Sequence, residues 1–153
     1  AIIKNCNSII KPEDTLIILG DLALGQDEKE WNQIFDNINC NEIFFIAGNH
    51  DTLKRIEKYK NEYGFQYLGE ACSFKYEGYH FFLSHYPTLV GNYDENDKPL
   101  KRKCINLCGH THTKDKFSDF DKGLIYHVEL DAHNNNIVSF ETIINDIKGK
   151  IND

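Results

Sequence analysis

Long apolar runs, positive charge and paired cysteines are all scarce in this chain. No stretch approaches the ~18 consecutive apolar residues that a membrane-spanning helix requires, so no membrane partner is expected. Lysine and arginine number 17 against 24 aspartates and glutamates, a formal net charge of −7. A chain of that balance is not expected to hold nucleic acid by general electrostatics. Bound divalent cations would add positive charge that the formal count leaves out. The five cysteines (Cys6, Cys40, Cys72, Cys104 and Cys108) are odd in number and dispersed. That pattern argues against a disulfide framework and for reduced thiols in the cytoplasm. Internal repeats, low-complexity tracts and Gly/Ser-rich linkers are missing too, so residues 1–153 are expected to form a single domain.

What is present has the patterning of a folded α/β protein. Ile2, Ile3, Cys6, Ile9 and Ile10 recur at helical spacing, and Pro12 closes that stretch. Thr15–Leu19 reads as a short apolar strand. Residues 27–38 form an amphipathic pattern with Trp31, Ile34, Phe35 and Ile38 on one face. A second strand is expected at 43–47 and a helix at 52–63, ended by Gly64. Short strands follow at 65–68, 72–76 and 79–83, with Glu77-Gly78 as a hairpin signal between the last two. A polar loop at 87–99, strands at Cys104–Cys108 and 124–130, and a helix at 140–148 complete the chain. Helices alternate with strands early and hairpins gather later, which predicts an α/β fold with a mixed sheet.

Four of these strands end alike. "TLIILGD" stops at Asp21, "IFFIAGNHD" at Asn49, His50 and Asp51, "FFLSH" at His85, and "INLCGHTH" at His110 and His112. In open α/β sheets, ligands gather in the crevice beyond the carboxyl ends of the strands. Side chains distant in sequence can therefore meet there, and the glycine in three of the four exits permits a sharp turn and close backbone approach. The gathered set is a carboxylate, an amide oxygen and several imidazoles. Mixed oxygen and nitrogen ligation suits Mn, Fe, Zn, Ni or Co better than Ca or Mg. Singly, each block has a plainer reading. Gly20-Asp21 is a common dipeptide, Asp51 suits the N-cap of the next helix, and a lone His85 suits a half-buried structural role. The two imidazoles of Gly109-His110-Thr111-His112 are the least ordinary feature, and the four blocks together predict a metal site.

Taken in order, "GD" at 20–21, "GNHD" at 48–51, "SH" at 84–85 and "GHTH" at 109–112 resemble the blocks of the calcineurin-like metallophosphoesterase superfamily. The resemblance implies a four-layer α/β/β/α sandwich of two mixed sheets flanked by helices, the metallo-dependent phosphatase fold. It also implies two divalent transition-metal ions, manganese favoured, and hydrolysis of phosphate mono- or diesters by a hydroxide bridging them. Carried over block by block, Asp21 bridges both ions, Asn49, His85 and His110 bind one, and His112 binds the other. His50 faces the substrate phosphate as a donor or proton source, with Asp51 placed to orient it or to cap the helix. The substrate expected is a phosphate ester, with nucleotides among the candidates because Tyr86, Tyr93 and Phe117 lie in the segments that wall the pocket.

One block of the family's pattern has no counterpart before Asp21. An Asp-x-His pair normally supplies two ligands to the ion that His112 serves, so an upstream segment with a first strand is expected to be lacking. Counted without it, one ion keeps Asp21, Asn49, His85 and His110, while the other has Asp21 and His112 alone. On that count the first ion can be held and the second is expected to be weak or absent, with a single-metal or inactive state if these residues are the entire molecule. A catalytically impaired or non-catalytic binding protein of the same fold is the alternative this raises. Asp131-Ala132-His133 is literally Asp-x-His and is a candidate substitute, although the asparagines after it read as an ordinary turn. A structural zinc module built on Cys104, Cys108, His110 and His112 is a weaker alternative, since cysteines inside a short apolar strand behave as small hydrophobes and lack the usual ligand spacing. The basic "KPLKRK" at 98–103 starts the strand whose far end carries Gly109, roughly 20 Å away at ~3.3 Å per residue, and reads as a solvated rim.

Overall fold

The computed structural model describes residues 2–22, 28–90, 99–118 and 124–152. Helix α1 (Ile2–Ile9) leads into a first sheet in which β1 (Thr15–Leu19), β2 (Glu42–Ile46) and β3 (Gln66–Tyr67) lie side by side in that order. All three run parallel, with Leu19 opposite Ile46 and Phe45 opposite Tyr67. Parallel neighbours need a crossover connection, and α2 (Glu28–Asp36) and α3 (Leu53–Glu62) lie in the two connections. Period-two alternation sorts each strand between two cores. Leu16, Ile18, Ile43 and Phe45 pack with Trp31 and Phe35 of α2 and Ile56 and Tyr59 of α3. Ile17, Leu19 and Ile46 turn the other way, into a core shared with the second sheet.

That second sheet has the order β4 (Ala71–Tyr76), β5 (Tyr79–Ser84), β6 (Cys104–Cys108), β8 (Leu124–His127), β7 (Phe117–Ser118). β4 and β5 form the expected hairpin. Glu77 and Gly78 have φ of 49° and 83°, the two positive values that a two-residue type I′ turn demands. β5, β6 and β8 run parallel, and β7 is antiparallel to β8, so this sheet is mixed while the first is parallel among the described residues. Helix α4 (Phe140–Asn152) buries Ile143, Ile144 and Ile147 in the shared core. Its first residue, Phe140, stacks on Phe74 and Tyr76 with ring centroids 5.2 and 5.0 Å apart. Two sheets flanked by helices are therefore the architecture, as the motif order implied. No helix among the described residues is long and apolar enough to cross a membrane.

Two local expectations are corrected, and one short strand is new. The cap of α3 is Thr52, whose hydroxyl accepts a hydrogen bond from the Arg55 backbone N–H at 3.3 Å, and not Asp51. The strand expected over 124–130 stops at His127 and gives way to a 3-10 turn, Leu130–His133, closed by Asn134 at a φ of 54°. The apolar pattern runs on through Val128 and Leu130, but the backbone leaves the sheet there. The two-residue strand β7 has too little length to announce itself by alternation. Register then does the work that matters for the site. Leu19 opposite Ile46, Leu83 opposite Leu107 and Cys108 opposite His127 bring the carboxyl ends of neighbouring parallel strands level, so their exits leave each sheet together.

Candidate metal centre

The exits of β1 and β2 pass each other with no space to spare. Gly20 adopts a φ of 94°, and a Cβ there would lie 2.5 Å from Nδ1 of His85 and 2.8 Å from the Gly48 Cα. A Cβ on Gly48 would overlap Oδ1 of Asp21. One buried carboxylate ties the two exits together. Oδ2 of Asp51 accepts the backbone N–H groups of Asp21 at 2.7 Å and Gly48 at 2.9 Å, and its Oδ1 accepts the Tyr59 hydroxyl at 3.2 Å. Oδ1 of Asp21 in turn accepts the His50 backbone N–H at 2.9 Å. From the second sheet, the Gly109 N–H donates to the His85 carbonyl at 3.0 Å and joins the other two exits.

His85, buried from solvent, stands at the meeting point. Its Nδ1 lies 2.9 Å from the Leu19 carbonyl. A carbonyl only accepts, so Nδ1 carries the hydrogen, and in the neutral ring Nε2 presents a bare lone pair. That Nε2 faces Asn49 Oδ1 at 2.8 Å, His110 Nδ1 at 3.0 Å and Asp21 Oδ2 at 3.2 Å. In the neutral His85 ring the Nε2 lone pair thus meets the oxygens of Asn49 and Asp21, a gathering of acceptors that a cation among them relieves. Donor atoms of Asp21, His85 and His110 all lie within 4.8 Å of one another, the cluster among the described residues able to hold a metal ion. With the Asn49 oxygen the set is two nitrogens and two oxygens, suited to a first-row transition ion or zinc. Asp21 and His110 adopt φ of 53° and 71°, left-handed values that cost of order 1–3 kcal/mol each and persist where surroundings enforce them.

Other anticipated residues stand around this cluster. His50 is exposed at its rim, with its carbonyl held at 3.0 Å by Nη1 of Arg55. His112 lies outside the three-residue cluster; its Nδ1 pairs with Oδ2 of Asp131 at 3.0 Å, and both side chains are substantially exposed. The Asp-x-His substitute is divided. Asp131 reaches His112, whereas His133 turns inward, its Nε2 donating to the His127 carbonyl at 2.8 Å and its ring lying 5.6 Å from that of Tyr126. The zinc-module alternative has no support in the geometry, for the cluster contains no cysteine. Sγ of Cys108 lies 3.7 Å from the Tyr126 carbonyl, and burial, reinforced by Glu129, pushes its thiol up to about 12. A thiol so raised stays protonated, and a neutral thiol is a poor nucleophile and ligand. In the folded protein at mildly alkaline pH, Cys108 is expected to resist Ellman's reagent and to react only on unfolding. Immediate labelling of all five cysteines would contradict this.

A family model for the calcineurin-like phosphoesterase superfamily domain matches residues 1–128. The chain belongs to that superfamily. An uncharacterized protein of Methanocaldococcus jannaschii is 34% identical over 87 residues, 56% of this chain and 41% of that relative's length. The match therefore spans less than half of that protein. The crystal structure of a protein of unknown function from Aquifex aeolicus superposes with a TM-score of 0.67 at 24% identity, covering 95% of this chain and 82% of the other. That likeness is one of fold.

Phosphoester hydrolysis and divalent-metal binding are the chemistry of this phosphoesterase superfamily, and the residues present fit such an ion because their lone pairs already converge. Several contributors escaped sequence reasoning. The Leu19 carbonyl, which sets the tautomer of His85, has no side-chain signature. Tyr59 looks like an ordinary apolar position of α3, and Glu129 lies where strand alternation was expected to continue.

Proposed function

We propose that this phosphoesterase-superfamily chain hydrolyses phosphate mono- or diesters with the help of two divalent transition ions, manganese favoured. Asp21, Asn49, His85 and His110 hold the first, and Asp21 with His112 contributes to the second. The observation that carries the reading is the convergence of Asn49 Oδ1, His110 Nδ1 and Asp21 Oδ2 on the bare Nε2 of His85. When bound, the ions supply Lewis-acid polarisation of the phosphoryl oxygens and lower the pKa of an attacking water.

The chain's own residues do the rest. The Leu19 carbonyl keeps the hydrogen of His85 on Nδ1, and the His50 N–H holds one oxygen of Asp21 so that the other faces the cluster. The exposed imidazole of His50 donates to the phosphoryl oxygens or protonates the leaving alkoxide. Asp51 acts through the backbone and keeps the two exits in contact. Tyr86, half exposed and with its ring 4.7 Å from that of His110, offers an aromatic face for the organic part of the ester, and a nucleotide base is the occupant we favour. The five unbridged cysteines support a reducing compartment, the cytoplasm.

The test uses nitrophenyl phosphate and bis(nitrophenyl) phosphate with protein stripped by a chelator and reloaded with Mn²⁺, Co²⁺ or Zn²⁺. Turnover is expected to vanish on stripping and return on reloading. His50→Ala is expected to keep its ion content while losing roughly 10²–10⁴-fold in turnover. Bound metal with no hydrolysis of either ester in any loaded form would leave a non-catalytic binding protein. Unchanged turnover in His50→Ala would remove His50 from the chemistry.

A further inference from the structure

Behind the 110–113 loop lies a polar cluster that the proposed reaction does not use. Glu129, one residue beyond the Val128 that follows β8, is almost enclosed, with its side chain 8% exposed. Its Oε1 accepts two hydrogen bonds from the loop, from the Thr111 hydroxyl at 2.6 Å and from the Thr113 backbone N–H at 2.9 Å. Its Oε2 lies 3.2 Å from Nδ1 of the buried His127, whose Nε2 is 2.8 Å from the Ser118 hydroxyl. The carboxylate therefore draws the hydrogen of His127 onto Nδ1, and Ser118 donates to Nε2. Two residues on, Asp131 meets Nδ1 of His112 at 3.0 Å.

The loop so held is strained. His110 and His112 both adopt left-handed backbone, at φ of 71° and 52°, and Thr111 between them is the residue that Glu129 grips through its hydroxyl. A left-handed backbone at two non-glycine residues separated by one needs outside enforcement, and Oε1 of Glu129 supplies it at Thr111 and Thr113. The contact to His112 has a different consequence. A carboxylate at Nδ1 keeps the hydrogen there and leaves Nε2 as the lone-pair atom, the relation by which outer carboxylates orient metal-binding imidazoles.

We propose that Glu129 and Asp131 are positioning residues, a pair of carboxylates from the exit of β8 that hold the histidine loop. Glu129 sets its backbone and so aims His110 at the cluster with Asp21 and His85. Asp131 sets the tautomer of His112 and so decides which ring nitrogen is offered to a cation. The proposal rests on the metal reading above, and it deepens that reading by assigning two residues outside the motif blocks.

The test uses the full chain labelled with ¹⁵N-histidine, first without metal and at a pH where the rings are neutral. Long-range ¹H–¹⁵N correlations are expected to place the His112 hydrogen on Nδ1 in the parent. In Asp131→Ala, which removes the acceptor, the hydrogen is expected to move largely to Nε2, with urea unfolding unchanged because the pair is exposed. Zn²⁺ titration then serves as a diamagnetic probe of the loop. Glu129→Ala is expected to lose roughly 10- to 100-fold in Zn²⁺ affinity. Glu129→Gln, which retains an acceptor for Thr111 and Thr113, is expected to stay within a few-fold of the parent, with the His127 hydrogen moved to Nε2 and donated to Ser118. That tautomer change and conservative rescue would not accompany a merely structural role. A His112 hydrogen on Nε2 in the parent, or Glu129→Ala binding Zn²⁺ as the parent does, overturns the proposal. A parent that binds no Zn²⁺ at all overturns the metal reading instead, and the clamp is then judged on the metal-free tautomer.

Discussion

Asp51→Ala is expected to lower folding stability by at least about 3 kcal/mol, since it strands three donors at ~1–3 kcal/mol each. Those donors are the backbone N–H groups of Asp21 and Gly48 and the Tyr59 hydroxyl, all of which the Asp51 carboxylate now receives. The loss is large against a typical total of roughly 5–15 kcal/mol. It should appear as a fall in the urea midpoint of the metal-free protein, before any question of turnover arises. Tyr59→Phe removes one donor and leaves the carboxylate bonded to both loops, so about 1 kcal/mol is expected there. Were Asp51→Ala as stable as the parent while turnover collapsed, the bracing role would be wrong and a direct part in proton transfer would take its place.

The second large effect comes from a single methyl group. Gly48→Ala puts a Cβ onto Oδ1 of Asp21, 2.6 Å from the Asp21 nitrogen and 2.9 Å from its Cγ. Asp21 cannot step aside freely, because its nitrogen is bound to Asp51 and its Oδ1 to the His50 N–H. The strain must go into moving the β1 exit, and Asp21 leaves the line to Nε2 of His85. A misplacement near 1 Å costs on the order of 10²-fold in turnover, and ion affinity is expected to fall with it. Isothermal titration with Mn²⁺ together with nitrophenyl ester turnover reads both. Gly149→Ala is the control. It lies in α4 with nothing within 4 Å of a new Cβ, and a glycine replaced in a helix interior should gain roughly 0.5–1 kcal/mol with the site untouched. Ion binding in Gly48→Ala equal to that of the control would mean that the crossing of the two exits tolerates a side chain.

Much of the architecture follows from local pattern. β1 and β6 fall where their apolar runs lie, because a five-residue run with polar flanks has one economical use in a sheet. The hairpin at Glu77-Gly78 follows from two residues, since a type I′ turn needs positive φ at both central positions. Elsewhere local pattern misleads for physical reasons. Val128 and Leu130 continue an alternation that the backbone abandons, because the chain leaves the sheet after His127 and brings Glu129 within reach of Thr111 and Thr113. Asp51 has the chemistry of a helix cap and the position of one. Thr52 takes that role, while the carboxylate turns toward a loop 30 residues earlier in the chain.

Residue type and period-two alternation are local properties, so the kinds of atom delivered at the exits of β1, β2, β5 and β6 are legible in the chain before it folds. Which of those atoms share a point depends on how the strand ends pack in three dimensions. His85 finds its hydrogen-bond partner at Leu19, 66 residues away, and that contact selects the ring nitrogen that meets Asn49, His110 and Asp21. That packing also decided that Asp131 serves His112 while His133, two residues on, does not. The reason is directional. Lone pairs and N–H bonds act along lines a few ångströms long, and only the packed strand ends fix where those lines cross.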